Sequence, residues 1–174
     1  FNGTVVFVIG ENGLNLAKTC NVNFPIIKVG NWIGPLIVDA AIKKVKTVIL
    51  FGYHGKLIKL AGGIFHTHNH LADARIEVLV FLALKANIPI ELIHQISKCN
   101  TIEDALINLE KENIEIVKKL WLLIANTIEF RSLEYIKRYT INELEVGAAL
   151  FDRKRSVRWI GSNAEAMFLK PDNF

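Results

Sequence analysis

Three apolar runs near the start of the chain share one design. TVVFVI (4–9), PIIKV (25–29) and KTVILF (46–51) are short, rich in β-branched residues, and followed by Gly10, Gly30 and Gly52. Continuous apolar runs of this length suit strands buried on both faces of a parallel sheet. The three glycines lie 20 and 22 residues apart, an interval that fits strand, loop, helix and return. A second glycine stands close behind each of them: Gly13, Gly34 and Gly55. Helical patterns follow over 14–20, over 35–44 with Pro35 as first helical residue, and over 56–61, stopping at Gly62-Gly63.

The middle of the chain predicts helices. Residues 71–86 are apolar on most of their surface, and 89–97 start with a proline. Over 101–124, Ile102, Leu106, Leu109, Ile116, Leu120 and Ile124 recur at helical spacing, with Thr101 and Asp104 as a capping box. A further helix is predicted over 130–139, and Thr140 with Glu143 gives a second capping signal. Residues 146–160 read as a β-hairpin around a charged turn. The expectation is a single α/β domain over 1–174, with a short parallel sheet, a helical middle section and a C-terminal β-hairpin.

That topology gives the glycine pairs a common meaning. Ligands of open α/β sheets bind beyond the carboxyl ends of the strands. Glycine allows tight turns and close backbone approach there, and the following helix points free N–H groups at the same place. Three such loops side by side make one rim.

Composition narrows the partners. The chain has 174 residues, 51% of them hydrophobic, enough for one well-filled core. A net charge of +4 suits a ligand bearing carboxylates or phosphates but falls short of a nucleic-acid footprint. No apolar run approaches the ~18–20 residues of a membrane span, and no signal peptide is evident. Cys20 and Cys99 match no zinc or redox spacing, so a reduced, cytoplasmic setting is expected. The chain opens at Phe1 and runs almost at once into a strand, which reads as a fragment or trimmed piece; homo-oligomerisation stays open.

The chemistry concentrates in GYHGKLIKLAGGIFHTHNHLADAR (52–75). His66, His68 and His70 alternate, so an extended backbone presents three imidazoles on one side. Three imidazoles can hold a catalytic zinc ion, and a metal-dependent hydrolase is the competing enzymatic reading. No HExxH pattern accompanies them and Asp73 is the sole nearby acid, so no metal ligand is assigned. A polar loop whose histidines cap backbone groups is the plainer alternative; donors to ligand carboxylates is the preferred one.

Other residues carry paired readings. Gly52-Tyr53-His54-Gly55-Lys56 has the strand, glycines and lysine of a phosphate loop, but two residues separate its glycines and Leu57 follows the lysine. Lys56 and Lys59 share a helix face, either over an anionic ligand or in solvent. Gly10-Glu11-Asn12-Gly13 lacks the GxGxxG pattern; it offers Glu11 and Asn12 to ribose or amino-acid groups, or is a tight turn. Beside Asn31, Trp32 staples a helix or offers a flat surface to a ring. Asp73 pairs locally or orients a histidine, and Arg75 grips a carboxylate or forms a local salt bridge.

The 52–75 stretch closely resembles the signature of the cobalt-precorrin-5B C(1)-methyltransferases, the CbiD family of anaerobic cobalamin biosynthesis. FVIGENGLNLAK (7–18) and VGNWIGPLIVDAA (29–41) resemble that family too, in the same order. The resemblance implies a Rossmann-like three-layer α/β domain and transfer of methyl from S-adenosylmethionine to C-1 of a tetrapyrrole-derived corrinoid precursor. Cobalt would belong to the substrate. Family members are longer, with a glycine- and alanine-rich motif in an N-terminal half missing here, so the chain looks like their C-terminal domain. A non-catalytic module that only holds that missing half is the third reading. On the leading one, Gly10, Glu11, Asn12 and Gly13 bind the methyl donor. Asn31, Tyr53, His54, Lys56, Lys59, His66, His70 and Arg75 bind the precursor. Asp73 or His68 removes a proton from the methylated product.

Overall fold

The structure, a computed structural model, describes residues 3–20 and 23–168. β1 (Thr4–Ile9), β2 (Ile26–Val29) and β3 (Thr47–Tyr53) form where the three apolar runs predict them. Between them lie α1 (Glu11–Thr19) and α2 (Ile33–Ile42). The helical middle comprises α3 (His54–Ala61), α4 (Arg75–Lys85), α5 (Ile90–Ser97), α6 (Ile102–Glu112) and α7 (Ile114–Lys137). β4 (Glu145–Phe151), β5 (Val157–Ile160) and α8 (Ser162–Phe168) close the chain.

The sheet order is β2-β1-β3-β4-β5. The first four strands are parallel and β5 is antiparallel to β4. The expected parallel sheet is therefore mixed: the hairpin joins it instead of standing apart. Period-2 alternation divides the core. Val5, Phe7, Val48, Leu50, Val146 and Ala148 face one layer, packed with residues of α2 to α7. Val6, Val8, Ile49, Phe51 and Ala149 face the other, where Ala17 of α1 packs.

Several local expectations change. Glu11, Asn12 and Gly13 form the first turn of α1, and Gly10, at φ 84°, supplies the left-handed bend before it. Pro35 sits in the third position of α2, not the first. The single helix predicted over 101–124 breaks at Asn113, and residues 130–137 of the segment predicted over 130–139 belong to the long α7. Asn113 is extended (φ −163°, ψ 111°), and its Oδ1 accepts from Glu115 N at 2.9 Å. A side chain that caps this well competes with helix continuation. Thr140 starts no helix; its hydroxyl accepts from Asn142 N at 3.1 Å.

α8, which the sequence pattern missed, covers β4 where β5 ends. Gly161 N donates to Ala148 O at 2.9 Å, and Asn163 Nδ2 to Val146 O at 3.0 Å. Buried Glu129 accepts from Ala148 N, Asn163 N and Ala164 N at 3.0, 3.0 and 3.1 Å. One carboxylate thus satisfies a strand edge and a helix start together. Burial raises its pKa, against the lowering effect of those three N–H groups.

Candidate functional site

Because β1, β2 and β3 are parallel neighbours, their carboxyl ends lie abreast on one edge of the sheet. The chain leaves β1 for β2 on one side and β3 for β4 on the other. Connections diverging from adjacent strands open a crevice between them. A cleft of about 490 Å³ lies there, lined by Gly10, Glu11 and Asn12 after β1 and by Tyr53 and Lys56 after β3. Its far wall comes from Glu103 in the first turn of α6 and from Asp152, Arg153 and Arg155 after β4. A second cleft of about 360 Å³ is lined by Asn31, Thr67, His68 and Asn69. Tyr53, Gly55, Lys56 and Arg75 line both clefts, which therefore adjoin.

The rim is basic. Arg75 holds Asp73 with two bonds, Nε to Oδ1 at 2.5 Å and a terminal nitrogen to Oδ2 at 3.0 Å. The pair lowers the Asp73 pKa and raises that of Arg75. Arg155, in the β4–β5 turn at φ 60°, reaches across to Asn12 Oδ1 at 3.0 Å and ties the hairpin to the start of α1. Glu11 pairs with Lys28, which lowers its pKa. Lys56 is half-buried, and desolvation lowers its pKa.

A buried polar cluster lies behind the wall of the larger cleft. His54 is 1% exposed; its Nε2 lies 2.7 Å from Glu103 Oε2, and Trp121 Nε1 donates to its Nδ1 at 2.9 Å. An indole N–H can only donate, so Nδ1 carries the lone pair and Nε2 the proton. With its lone pair on Nδ1 the ring is neutral; desolvation lowers the His54 pKa, with the Glu103 hydrogen bond acting the other way. Tyr53 Oη also donates to Glu103 Oε2, at 3.1 Å. Burial first, and Glu103 second, raise the Tyr53 pKa.

Lys59 and His54 leave the expected rim. Lys59 is 0% exposed, and its Nζ donates to Thr67 O at 3.2 Å, Asn69 Oδ1 at 2.7 Å and Ala72 O at 2.6 Å. It shares no open face with Lys56; it pins the histidine loop from below, and burial lowers its pKa. The histidine loop is turned, not extended. His66 bridges to Trp32 and packs edge-on against its ring, with centroids 4.6 Å apart. Exposed His70 contacts His68 at 4.9 Å between centroids. Among the described residues no three His, Cys, Asp or Glu side chains are grouped to hold a metal ion, so the convergence expected from the alternation is not found.

Of the expected donor-site residues, Gly10, Glu11 and Asn12 line the larger cleft. Gly13 lies beneath it, where an added methyl would sit 2.8 Å from Val8. Of the expected precursor-site residues, Tyr53, Lys56, Arg75 and Asn31 line a cleft, while His54, Lys59, His66 and His70 do not. His68 lines the smaller cleft; Asp73 lines neither. Sequence reading missed Glu103, Asp152, Arg153 and Arg155. A signal existed: the apolar AALF of β4 runs into DRKRS as the earlier strands run into their loops.

A mixed α/β sheet with charged clefts at the carboxyl ends of its parallel strands has the layout in which open α/β sheets bind ligands. The chain belongs to the family described as CbiD, C-terminal domain, whose model matches residues 66–161. It is 65% identical over 162 residues to a cobalt-precorrin-5B C(1)-methyltransferase of Prochlorococcus marinus subsp. pastoris, covering 93% of this chain and 44% of the relative. The enzyme of that name from Prochlorococcus marinus strain MIT 9312 gives the same identity and coverage. The one from strain SARG is 53% identical over 165 residues, covering 94% of this chain and 43% of the relative. The chain thus spans less than half the length of the curated relatives it matches. No solved structure matches it. No helix among the described residues is long and apolar enough to cross a membrane.

Proposed function

We propose that the chain is the Rossmann-like C-terminal domain of an S-adenosylmethionine-dependent enzyme that methylates C-1 of cobalt-precorrin-5B to give cobalt-precorrin-6A. The observation that carries this reading is the pair of adjoining clefts sharing Lys56 and Arg75 at the strand ends. The larger, at about 490 Å³, falls within the ~300–1,000 Å³ of small-molecule sites. It takes the methyl donor near Gly10, Glu11 and Asn12. The smaller takes an acidic side group of the flat macrocycle, which spreads beyond it over Trp32 and His66.

In the reaction, a C–CH3 bond forms at the electron-rich ring carbon as the S–CH3 bond breaks, and its electron pair returns to sulfur. Such a displacement is governed by alignment. Arg75, held rigid by Asp73, meets a substrate carboxylate; Asp73 is a positioning residue. His68 and Asn69, on the loop pinned by Lys59, face the same ligand. His68 is the candidate group to receive a proton.

Calorimetric titration of the full protein with S-adenosylhomocysteine tests the donor half. Saturable binding that Asn12→Ala weakens is expected. No heat at high micromolar concentration overturns it.

A further inference from the structure

Two opposite charges line the larger cleft without a lysine, arginine or carboxylate counter-ion among the described residues. Glu103, 9% exposed, has its Oε2 taken up by Tyr53 Oη, His54 Nε2 and Arg153 N, at 3.1, 2.7 and 3.3 Å. All three donors are neutral, because the Trp121 bond holds His54 in its uncharged form. No lysine or arginine side-chain nitrogen among the described residues comes within 4.0 Å of the carboxylate. Oε1 has no hydrogen-bond partner among those residues. Among the described residues the fully buried side-chain polar atom lacking one is Ser132 Oγ, so Oε1 is solvent-accessible, and Glu103 lines the cleft. A largely buried carboxylate without a counter-ion is costly, and a cationic ligand would remove that cost. The second charge is Lys56, half-buried on the same cleft and without an ion-pair or hydrogen-bond partner among the described residues.

We infer that Glu103 and Lys56 recognise the two ends of an α-amino-acid zwitterion, Glu103 Oε1 accepting from its ammonium and Lys56 meeting its carboxylate. Oε1 can accept from any N–H or O–H, but a buried carboxylate without a counter-ion favours a donor that is also a cation; a sulfonium is charged yet carries no such hydrogen, so the ammonium is the group it selects. His54 and Trp121 are positioning residues: their chain of bonds anchors Oε2 and leaves Oε1 free. The inference rests on the donor reading above, since the amino-acid end of S-adenosylmethionine supplies both charges.

The test uses three probes on the full protein: S-adenosylhomocysteine, its analogue without the α-amino group, and its analogue without the carboxylate. Glu103→Gln should weaken the first and third roughly tenfold or more and leave the second unchanged. Lys56→Met should weaken the first and second and spare the third. Unchanged amine probes in Glu103→Gln, or equal losses for all three, overturn the assignment while leaving the donor reading intact. Wild-type protein that binds none of the probes overturns both. Should Glu103→Gln not fold, the wild type still decides. The probe without the amine must bind roughly tenfold more weakly than S-adenosylhomocysteine, and equal binding overturns the proposal.

Discussion

Trp121 donates its indole proton to His54 Nδ1 at 2.9 Å, and this bond sets the electrical character of the polar cluster behind the cleft wall. Both rings are buried, one on α7 and one at the start of α3. With Nδ1 engaged as an acceptor, the ring cannot become a cation without losing the bond. Glu103 therefore receives a neutral hydrogen bond from His54, not a counter-charge.

Trp121→Phe should test that bond. The aromatic volume largely remains, but Nδ1 is left buried without a donor. A loss of roughly 1–3 kcal/mol is expected from urea unfolding of the variant against wild type. Stability within error of wild type would show that the bond contributes little.

His54 also predicts a pH dependence. Its folded pKa lies below the ordinary 6.5, so the unfolded chain binds the proton more tightly. Stability is then fully present above 6.5 and declines as pH falls through that value. The facing groups are Glu103, Asp152, Arg158 and Tyr53, with Trp121 as hydrogen-bond donor. Glu129 works the opposite way, since its pKa is raised from 4.5 and acid relieves its burial. Asp73 and Glu11, with lowered values, lose their contributions only as pH falls below 3.8 and 4.5. Unfolding midpoints between about pH 7.5 and pH 5.5 should fall in the wild type, and fall less in His54→Gln.

Lys59→Met should release the histidine loop. It removes a buried cation from three acceptors at Thr67, Asn69 and Ala72. Losing hydrogen bonds made by a charged donor costs on the order of 1.5–3 kcal/mol. Hydrogen exchange should accelerate over 66–73, with weaker binding of the macrocycle and unchanged binding of S-adenosylhomocysteine. Exchange at the wild-type rate would sink the pinning role.

Two glycines should respond oppositely to alanine. A Cβ on Gly147 would lie 2.8 Å from Ala164 Cα and 3.0 Å from its N, backbone atoms of α8 that cannot swing away. Gly147→Ala should cost roughly 1–3 kcal/mol in denaturant unfolding. Gly30 has nothing within 4 Å of an added Cβ, so Gly30→Ala should stay within about 0.5 kcal/mol of wild type.

Arg75→Ala should weaken binding of a polycarboxylated corrinoid roughly tenfold, and the remaining affinity should depend less on salt. Binding measured at two ionic strengths checks both effects.

The sequence by itself determined the three strands with their glycine-marked ends, most helices and the hairpin. These follow from local periodicity: a run buried on both faces must be apolar throughout, and a turn needs its special residues. It also placed Tyr53 and Lys56 at the end of β3, where a cleft opens. Tertiary structure decided the rest. Lys56 and Lys59 look equivalent on a helix, yet one faces a cleft and the other is buried beneath a loop 10 residues further along. Glu103 lies in the first turn of α6, and packing of α6 against α3 brings it to His54, 49 residues away. Alternating histidines predict convergence only for an extended backbone, and the backbone turned. Strand ends are local properties of a chain; the environment of a charge depends on which distant segments close around it.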